Sequence, residues 1–120
     1  MARPIIHLKR AYAAATPGDG RRLLVDALWP RGVSKDALQA EAWLKAVAPS
    51  TALRKWFGHD PARWEDFRKR YLAELDANPD AVAELRAHLG HGPVTLLYGA
   101  RDQEHNNAVV LRDYLLGKTR

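Results

Sequence analysis

Two arginines stand directly after predicted strands and directly before predicted helix starts. Arg31 follows Leu28-Trp29-Pro30, and Arg101 follows Tyr98-Gly99-Ala100. In an open parallel sheet, ligands bind in the crevice outside the carboxyl ends of the strands, and the amino ends of helices favour anions. A guanidinium group donates paired hydrogen bonds to phosphate or carboxylate. These positions therefore predict a site for a small anionic or phosphate-containing ligand.

Other residues at the same two strand ends complete this predicted site. The predicted ligand-binding residues are Trp29, Arg31, Gly32, Lys35, Arg101 and Asn106. Trp29 would form a wall, and a glycine at position 32 or 99 would let a ligand approach the backbone closely. The alternative is structural: Arg31 pairs with an internal acid such as Asp26, and Trp29-Pro30 only packs.

Asp26 and His105 are the candidates for acid–base chemistry. Asp26 interrupts an apolar strand, where a carboxylate is costly unless it is paired. It is therefore either a site acid or base or the buried partner of an arginine, and we favour the partner. His105 has a reference pKa near neutrality, which suits a general acid or base, although a histidine in the second turn of a helix is often only a surface residue. Whether the protein is an enzyme stays open.

A basic, aromatic-rich segment indicates a second class of function. All four tryptophans fall between residues 29 and 64, and residues 54–70 carry six Lys or Arg against three acids. Aromatic rings among basic residues can stack bases and hold phosphates. The other interpretation is that the rings are core and the charges form a solvated helix face. With no helix-turn-helix pattern, nucleic-acid binding is the less favoured alternative.

The composition excludes several chemistries. The formal charge is 19 − 14 = +5, and there are no cysteines, which removes disulfides, thiol nucleophiles and thiolate metal sites. The five histidines show no metal-ligand spacing, and no glycine-rich phosphate loop is present, so we expect no metal and no cofactor. No apolar run reaches the roughly 18 residues of a membrane span, and the amino end lacks the apolar core of a signal peptide. We expect a soluble, cytoplasmic protein with no membrane partner.

The elements that must position these residues follow from the hydrophobic pattern. A chain of 120 residues predicts a single domain, 1–120. The predicted strands are 4–10, 22–29 and 94–98. The predicted helical segments are 35–48 after Ser34, 53–57, 61–78, 81–89, and a last helix capped by Asp102. The central strands are apolar throughout, as in strands buried on both faces, and a long helical crossover between them favours parallel pairing. The fold class is α/β, with a short, mainly parallel sheet flanked by helices.

The segment after Asp60-Pro61 has the clearest helix pattern. A capping carboxylate precedes proline at the first helical position. Apolar side chains then recur every three or four residues at Trp64, Phe67, Tyr71 and Leu75. We expect this stripe to face the core and Arg68 and Lys69 to face solvent.

Two sequence blocks are specific enough to indicate a family. They are Leu24-Val-Asp-Ala-Leu-Trp-Pro-Arg-Gly-Val-Ser-Lys35 and Ala48-Pro-Ser-Thr-Ala-Leu-Arg-Lys-Trp-Phe-Gly-His59. With Val94-Thr-Leu-Leu-Tyr98 and Glu104-His-Asn-Asn-Ala-Val-Val-Leu111, they resemble the YeaO-like family, domain of unknown function 488, of small bacterial proteins. The resemblance covers essentially the whole chain. It implies a compact α/β fold and brings no established activity.

The chain departs from the family pattern at two places. The family usually has an arginine before Leu-Trp-Pro-Arg, where this chain has Ala27. If that arginine binds ligand in the family, this chain lacks one hydrogen-bond donor at the site. More distant relatives carry a Cys-His-Arg cluster where this chain has Asn106-Asn107-Ala108. The resemblance therefore transfers no thiol chemistry to this chain.

Overall fold

Four strands and five α-helices make up the protein in a computed structural model that describes residues 3–118. The strands are β1 (Ile6–Arg10), β2 (Arg21–Leu24), β3 (Ala42–Trp43) and β4 (Val94–Tyr98). The helices are α1 (Lys35–Leu38), α2 (Thr51–Phe57), α3 (Trp64–Asp76), α4 (Pro79–Arg86) and α5 (Asn107–Leu115). Short 3₁₀ turns cover Pro17–Asp19, Lys45–Val47 and Pro61–Arg63.

The four strands form one parallel sheet in the order β1-β4-β2-β3. Leu23 pairs with Leu96 and Leu24 with Leu97 across the β2–β4 contact. The crossover between these two strands contains α1 to α4, which is why they run parallel. The predictions that these segments are neighbouring parallel strands and that the fold is α/β are confirmed.

The apolar strand runs are buried on both faces of the sheet. Leu23, Val25 and Leu96 point into the larger core under α2, α3, α4 and α5, and each is fully buried. Leu24 and Leu97 point the other way and pack with Leu38 in a smaller core. Because successive side chains of a strand alternate between faces, two cores require continuous apolar strands.

Capping residues and apolar spacing set the ends and the buried faces of the helices that flank the candidate site. Ser50 caps α2, its Oγ accepting from the Leu53 N–H at 3.2 Å, and Gly58 ends that helix in the left-handed conformation. On α3, Phe67, Tyr71 and Leu75 are buried as predicted and Lys69 is exposed. Two positions differ from the prediction: Trp64 and Arg68 are each half-buried. Trp64 lies at the end of the stripe, and Arg68 packs along the helix while donating to the carbonyl of Lys118 at 3.1 Å.

The structure corrects several predicted element bounds. Strand β2 ends at Leu24 and not near residue 29, because the Asp26 side chain takes the next backbone donor, the Gly99 N–H. The predicted helix over 35–48 stops at Leu38, where Gln39 turns left-handed (φ 50°), and the chain then pairs with β2 as β3.

The last helix begins at Asn107, later than predicted. Asn106 is its cap, with Oδ1 accepting from the Val109 N–H at 3.1 Å, whereas Asp102 caps the preceding turn. Helix α4 begins at Pro79, two residues before the predicted start, because proline fits the first helical position. Within residues 3–118 no helix is both long and apolar enough to span a membrane.

Candidate functional site

A cavity of about 390 Å³ opens at the carboxyl ends of β2 and β4. This volume lies in the range of small-molecule sites, roughly 300–1,000 Å³. Its lining residues come from the loops after both strands, from α2 and the turn after it, from α3, and from the start of α5. They are Asp26, Ala27, Leu28, Pro49, Arg54, Lys55, Phe57, His59, Phe67, Ala100, His105, Asn106 and Asn107.

The end of β2 is held rigidly before the chain reaches the cavity. The Val25 N–H donates to the Leu97 carbonyl at 3.2 Å, and the Asn107 side chain donates to the Val25 carbonyl at 3.1 Å. The Trp43 indole donates to the Asp26 carbonyl at 2.8 Å. Three elements therefore fix the backbone that carries Asp26, so its carboxylate has a defined position at the cavity wall.

Asp26 is a half-buried carboxylate with one hydrogen bond to backbone. Its Oδ2 accepts from the Gly99 N–H at 2.8 Å, and a Cβ added at Gly99 would sit 3.2 Å from that oxygen. Burial raises the pKa of Asp26. The Gly99 N–H, the Asn107 side chain and the charges of Arg54 and His59 offset part of that rise. Among residues 3–118, no Lys, Arg or His nitrogen lies within 4.0 Å of the carboxylate. The favoured interpretation of Asp26 as the partner of an arginine is therefore not supported.

Arg54 and Lys55 bring positive charge to the cavity rim. The Arg54 guanidinium donates to the Pro49 carbonyl at 3.3 Å and to the Thr51 hydroxyl at 3.0 Å. Neither Arg54 nor Lys55 forms an ion pair with a described carboxylate. The α2 amino end that carries them is fixed by Glu74, which accepts from the Ser50 N–H at 2.8 Å and from its hydroxyl at 2.6 Å. The rim thus holds one cation positioned by hydrogen bonds, Arg54, and one exposed cation, Lys55, and neither forms an ion pair with a described carboxylate.

His59 enters the cavity wall through an unusual backbone conformation. It follows the left-handed Gly58 and is itself left-handed, with φ 57°. A non-glycine residue in this region costs of order 1–3 kcal/mol, and such residues concentrate at functional sites. The side chain is exposed and lines the cavity.

His105 is oriented by Asp102 on the opposite side of the cavity. The two side chains meet at 2.9 Å between Nδ1 and Oδ2, while Asp102 Oδ1 accepts from the N–H groups of Glu104 and His105 at 2.9 and 3.0 Å. The Glu104 N–H and the His105 side chain lower the pKa of Asp102. The Trp64 ring meets the imidazole edge-on, with centroids 5.2 Å apart. A carboxylate that fixes Nδ1 leaves Nε2 as the free ring nitrogen.

Aromatic rings form the apolar part of the wall. Phe57 and Phe67 stack with centroids 4.2 Å apart and planes 22° apart, and both line the cavity. Leu28, exposed at 69%, lies on the other side of the opening. Phe57 and Phe67 are only 5% and 2% exposed, so the stacked pair belongs mainly to the core and offers the cavity a small apolar surface.

The structure brings three of the predicted site residues together. Asp26, His105 and Asn106 all line the cavity. The Asn106 amide has structural duties, because Oδ1 caps α5 and Nδ2 donates to the Asp102 carbonyl at 2.9 Å. Its contribution to the site is therefore mainly to position the turn that carries His105.

The other predicted ligand-binding residues lie outside this cavity. They are Trp29, Arg31, Gly32, Lys35 and Arg101. Trp29 packs edge-to-face on Trp43 at 5.4 Å and donates to the Val33 carbonyl at 2.6 Å, on the face of the smaller core. Gly32 sits in an exposed turn with φ 79°, and the side chains of Arg31, Lys35 and Arg101 are exposed. Arg31 follows Trp29 on the face of the smaller core, and Arg101 is exposed in the turn after β4, so neither arginine lines the cavity.

Four polar or charged lining residues were not among the predicted site residues: Arg54, Lys55, His59 and Asn107. The sequence signal that could have found this part of the cavity wall is the distinctive block Lys55-Trp-Phe-Gly-His59. Helical spacing did not show that α2 would turn Arg54 and Lys55 toward Asp26.

Two other cavities are less suited to a ligand. One, of about 300 Å³, lies beside β1 and includes Lys9, Arg10 and Tyr12; the other, of about 420 Å³, lies at the amino ends of the strands and includes Arg3 and Leu89. In the first, Lys9 is already paired with Asp19 at 2.9 Å and Arg10 donates to the Ala100 carbonyl at 3.0 Å, and in the second Arg3 is the one charged residue among the described lining residues. Within residues 3–118 no group of three His, Asp or Glu side chains is placed to hold a metal ion.

Comparison with known proteins gives a consistent result. A family model described as "Inactive DUF488-N3 subclade" matches residues 5–120. "Uncharacterized protein YeaO" of Escherichia coli (strain K12) is 43% identical over 110 residues, which is 92% of this chain and 96% of that protein. "Uncharacterized protein Mb3100c" of Mycobacterium bovis and "Uncharacterized protein Rv3073c" of Mycobacterium tuberculosis (strain H37Rv) are each 40% identical over 113 residues, covering 94% of this chain and 95% of each relative. No solved structure matches the chain.

Proposed function

The chain belongs to the YeaO-like DUF488 family, within the subclade described as inactive, and on that premise we propose that it binds a small phosphate-containing anion reversibly in the cavity at the strand carboxyl ends. The family resemblance read from the motifs is confirmed. The observation that carries the proposal is the pair of cations, Arg54 and Lys55, that line the cavity without a carboxylate partner among the described residues. Arg54 is already fixed by hydrogen bonds, so little side-chain entropy is lost when an anion binds.

Binding without turnover is supported by two further points. The subclade is described as inactive, and the chain has no cysteine to act as a thiol nucleophile. Asp26 and His105, the predicted acid–base residues, then serve as polar groups that orient the ligand. A buried carboxylate and an oriented imidazole are as useful for recognition as for proton transfer.

The test is to titrate the full chain with inorganic phosphate and with ribose 5-phosphate, and to measure binding by calorimetry and by amide chemical shifts. We expect saturable binding, with shifts concentrated at the residues that line the cavity. Replacing both cations, Arg54→Gln with Lys55→Gln, should weaken binding by at least about tenfold, since a hydrogen bond to a charged group contributes roughly 1.5–3 kcal/mol.

The exposed arginines outside the cavity supply matched controls. Arg31→Gln and Arg101→Gln are made singly and together, and the double control removes the same charge as Arg54→Gln with Lys55→Gln, so it tests whether the effect is local or reflects net charge alone. We expect binding within about twofold of the wild type, because neither side chain lines the cavity and solvent screens the charge of exposed side chains. Loss of binding in either control, with retention in the Arg54 and Lys55 variant, would overturn the assignment of the cations and restore the two strand-end arginines as the anion clamp.

Nucleic-acid binding is the second candidate function, favoured by one surface feature. The guanidinium groups of Arg63 and Arg70 lie 5.3 and 4.1 Å from the ring centroid of Trp56 on a basic face of α2 and α3. These guanidiniums can hold backbone phosphates, but they occupy the indole that would otherwise stack a base. Fluorescence anisotropy with a labelled single strand tests this candidate: affinity that falls steeply with salt and is lost in Arg70→Gln would favour it. Salt-insensitive or absent binding would remove it.

A further inference from the structure

The cavity has two chemically opposite ends. Arg54 and Lys55 carry positive charge at the rim, and Asp26 presents a carboxylate at the strand end. A simple anion such as phosphate satisfies the rim but gains nothing from Asp26, whose ionised form repels it. The arrangement is complementary to a ligand that has an anionic group at one end and hydrogen-bond donors at the other.

Asp26 has an acceptor available for such a donor. Its Oδ2 accepts from the Gly99 N–H at 2.8 Å. The Asn107 amide lies near the carboxylate, but it directs its hydrogen bond to the Val25 carbonyl. Oδ1 therefore receives no directed hydrogen bond from residues 3–118. A half-buried carboxylate oxygen is expected to have a donor, and a ligand N–H would supply it.

The wall between the two ends favours a flat, apolar body. Phe57 and Phe67 form a stacked pair on one side, and the imidazole of His105 stands edge-on to Trp64 on another. Aromatic rings contribute most when they meet another planar ring face-to-face in an offset stack or edge-on. A planar heterocycle fits such a wall better than an aliphatic chain does.

We infer that the ligand of this cavity is a nucleoside monophosphate, with its phosphate at Arg54 and Lys55, its base against the aromatic wall, and an N–H donor of the base on Asp26. The inference rests on the proposed function, because it names the ligand class of the same site. A purine base with adjacent ring and amino N–H groups, as in guanine, offers the donors that a carboxylate accepts best.

The experiment compares three probes on the full chain by calorimetry: guanosine 5′-monophosphate, ribose 5-phosphate, which has no base, and guanosine, which has no phosphate. We expect guanosine 5′-monophosphate to bind at least about tenfold more tightly than either fragment, because both ends of the cavity are used only by the joined ligand. Asp26→Asn should reduce the preference over ribose 5-phosphate to within about threefold while leaving ribose 5-phosphate binding unchanged or improved. Asp36→Asn, an exposed aspartate on α1, is the matched control and should keep the wild-type preference.

Each outcome of this comparison bears on a different claim. If ribose 5-phosphate binds and guanosine 5′-monophosphate binds no more tightly, the ligand class is overturned while anion binding stands. If neither phosphate compound binds at millimolar concentration, the proposed function itself is overturned. Retention of the full preference in Asp26→Asn would refute the role of the carboxylate, and the wild-type comparison decides the ligand class even if that variant fails to fold.

Discussion

Replacing Asp19 with asparagine should destabilise the protein more than almost any other single polar substitution. Asp19 is 6% exposed and lies just before β2, the strand that leads to Asp26. Its carboxylate accepts from Lys9 Nζ at 2.9 Å and from Arg22 Nη1 at 2.7 Å, and its backbone carbonyl accepts from the Thr95 hydroxyl at 2.7 Å. The cluster therefore ties β1, β2 and β4 together at one end of the sheet.

The loss in unfolding free energy can be estimated from the buried Arg22, which the substitution leaves without its charged partner. Arg22 is 4% exposed, and its Nη2 has no hydrogen-bond partner within the described residues, so the remaining bonds to Asp19 and the Leu38 carbonyl matter more. Breaking a buried ion pair by removing one partner costs about 3–5 kcal/mol. Lys9 is 24% exposed at its side chain, so water screens its share. We expect a loss near the lower end, about 3 kcal/mol, out of a typical total of roughly 5–15 kcal/mol.

The assay is urea unfolding at neutral pH followed by tryptophan fluorescence and far-ultraviolet circular dichroism. Glu84→Gln, an exposed carboxylate on α4, is the control and should change the unfolding free energy by less than about 0.5 kcal/mol. The double variant Asp19→Asn with Arg22→Met should be more stable than Asp19→Asn alone, because it removes the unpaired buried cation. A loss below about 1 kcal/mol in the single variant would refute the reasoning, since Arg22 would then not depend on its partner.

The pH dependence gives an independent check on the same pair. Burial alone would raise the pKa of Asp19, but hydrogen bonds from Lys9, Thr16 and Arg22 outweigh it and hold the pKa far below its usual range. A carboxylate with a depressed folded-state pKa stabilises the protein above its unfolded value and loses that contribution as the pH falls toward the folded value. The gap in stability between wild type and Asp19→Asn should therefore be constant at neutral pH and shrink below about pH 4. A gap that stays constant down to pH 2 would show that the carboxylate charge is not its source.

The remaining predictions concern the cavity and its aromatic wall. Burial raises the pKa of Asp26, so its carboxyl group keeps its proton to higher pH in the folded state than in the unfolded state. The free energy of unfolding therefore declines as the pH rises above about 4 toward the folded-state pKa. The difference between wild type and Asp26→Asn in urea unfolding should show this decline, and a flat difference would contradict the burial argument. Phe67→Ala should cost about 3–5 kcal/mol because the ring is 2% exposed, whereas Trp64→Ala should cost about half as much because that ring is only half-buried. Equal losses at the two positions would mean that Trp64 is packed as tightly as the core.

Local sequence patterns were sufficient to predict the fold class and most of the elements. Continuous apolar residues at Leu23-Leu24-Val25 indicated a strand buried on both faces, and the structure has a separate core on each side of it. The helix predicted over 53–57 ends where α2 ends, before the left-handed Gly58, and α2 begins two residues earlier, directly after its cap Ser50. Such features depend on a few neighbouring residues, whose backbone preferences and hydrogen-bonding groups do not need the rest of the chain.

Packing between distant segments sets which side chains share the cavity. Arg31 and Arg101 follow strands in the sequence just as Asp26 and His105 do, yet the path of the chain after Pro30 carries Arg31 away from the cavity. The cations that line it, Arg54 and Lys55, come from a helix whose rotation is set by burial of Leu53 and Phe57 and by the Glu74 contact to Ser50. The edge strand β3 likewise forms because β2 offers unpaired backbone groups, and not because residues 42–43 have a strong strand pattern. The direction in which a loop leaves a strand and the face that a helix turns inward are set by packing between distant segments, so no local pattern specifies them.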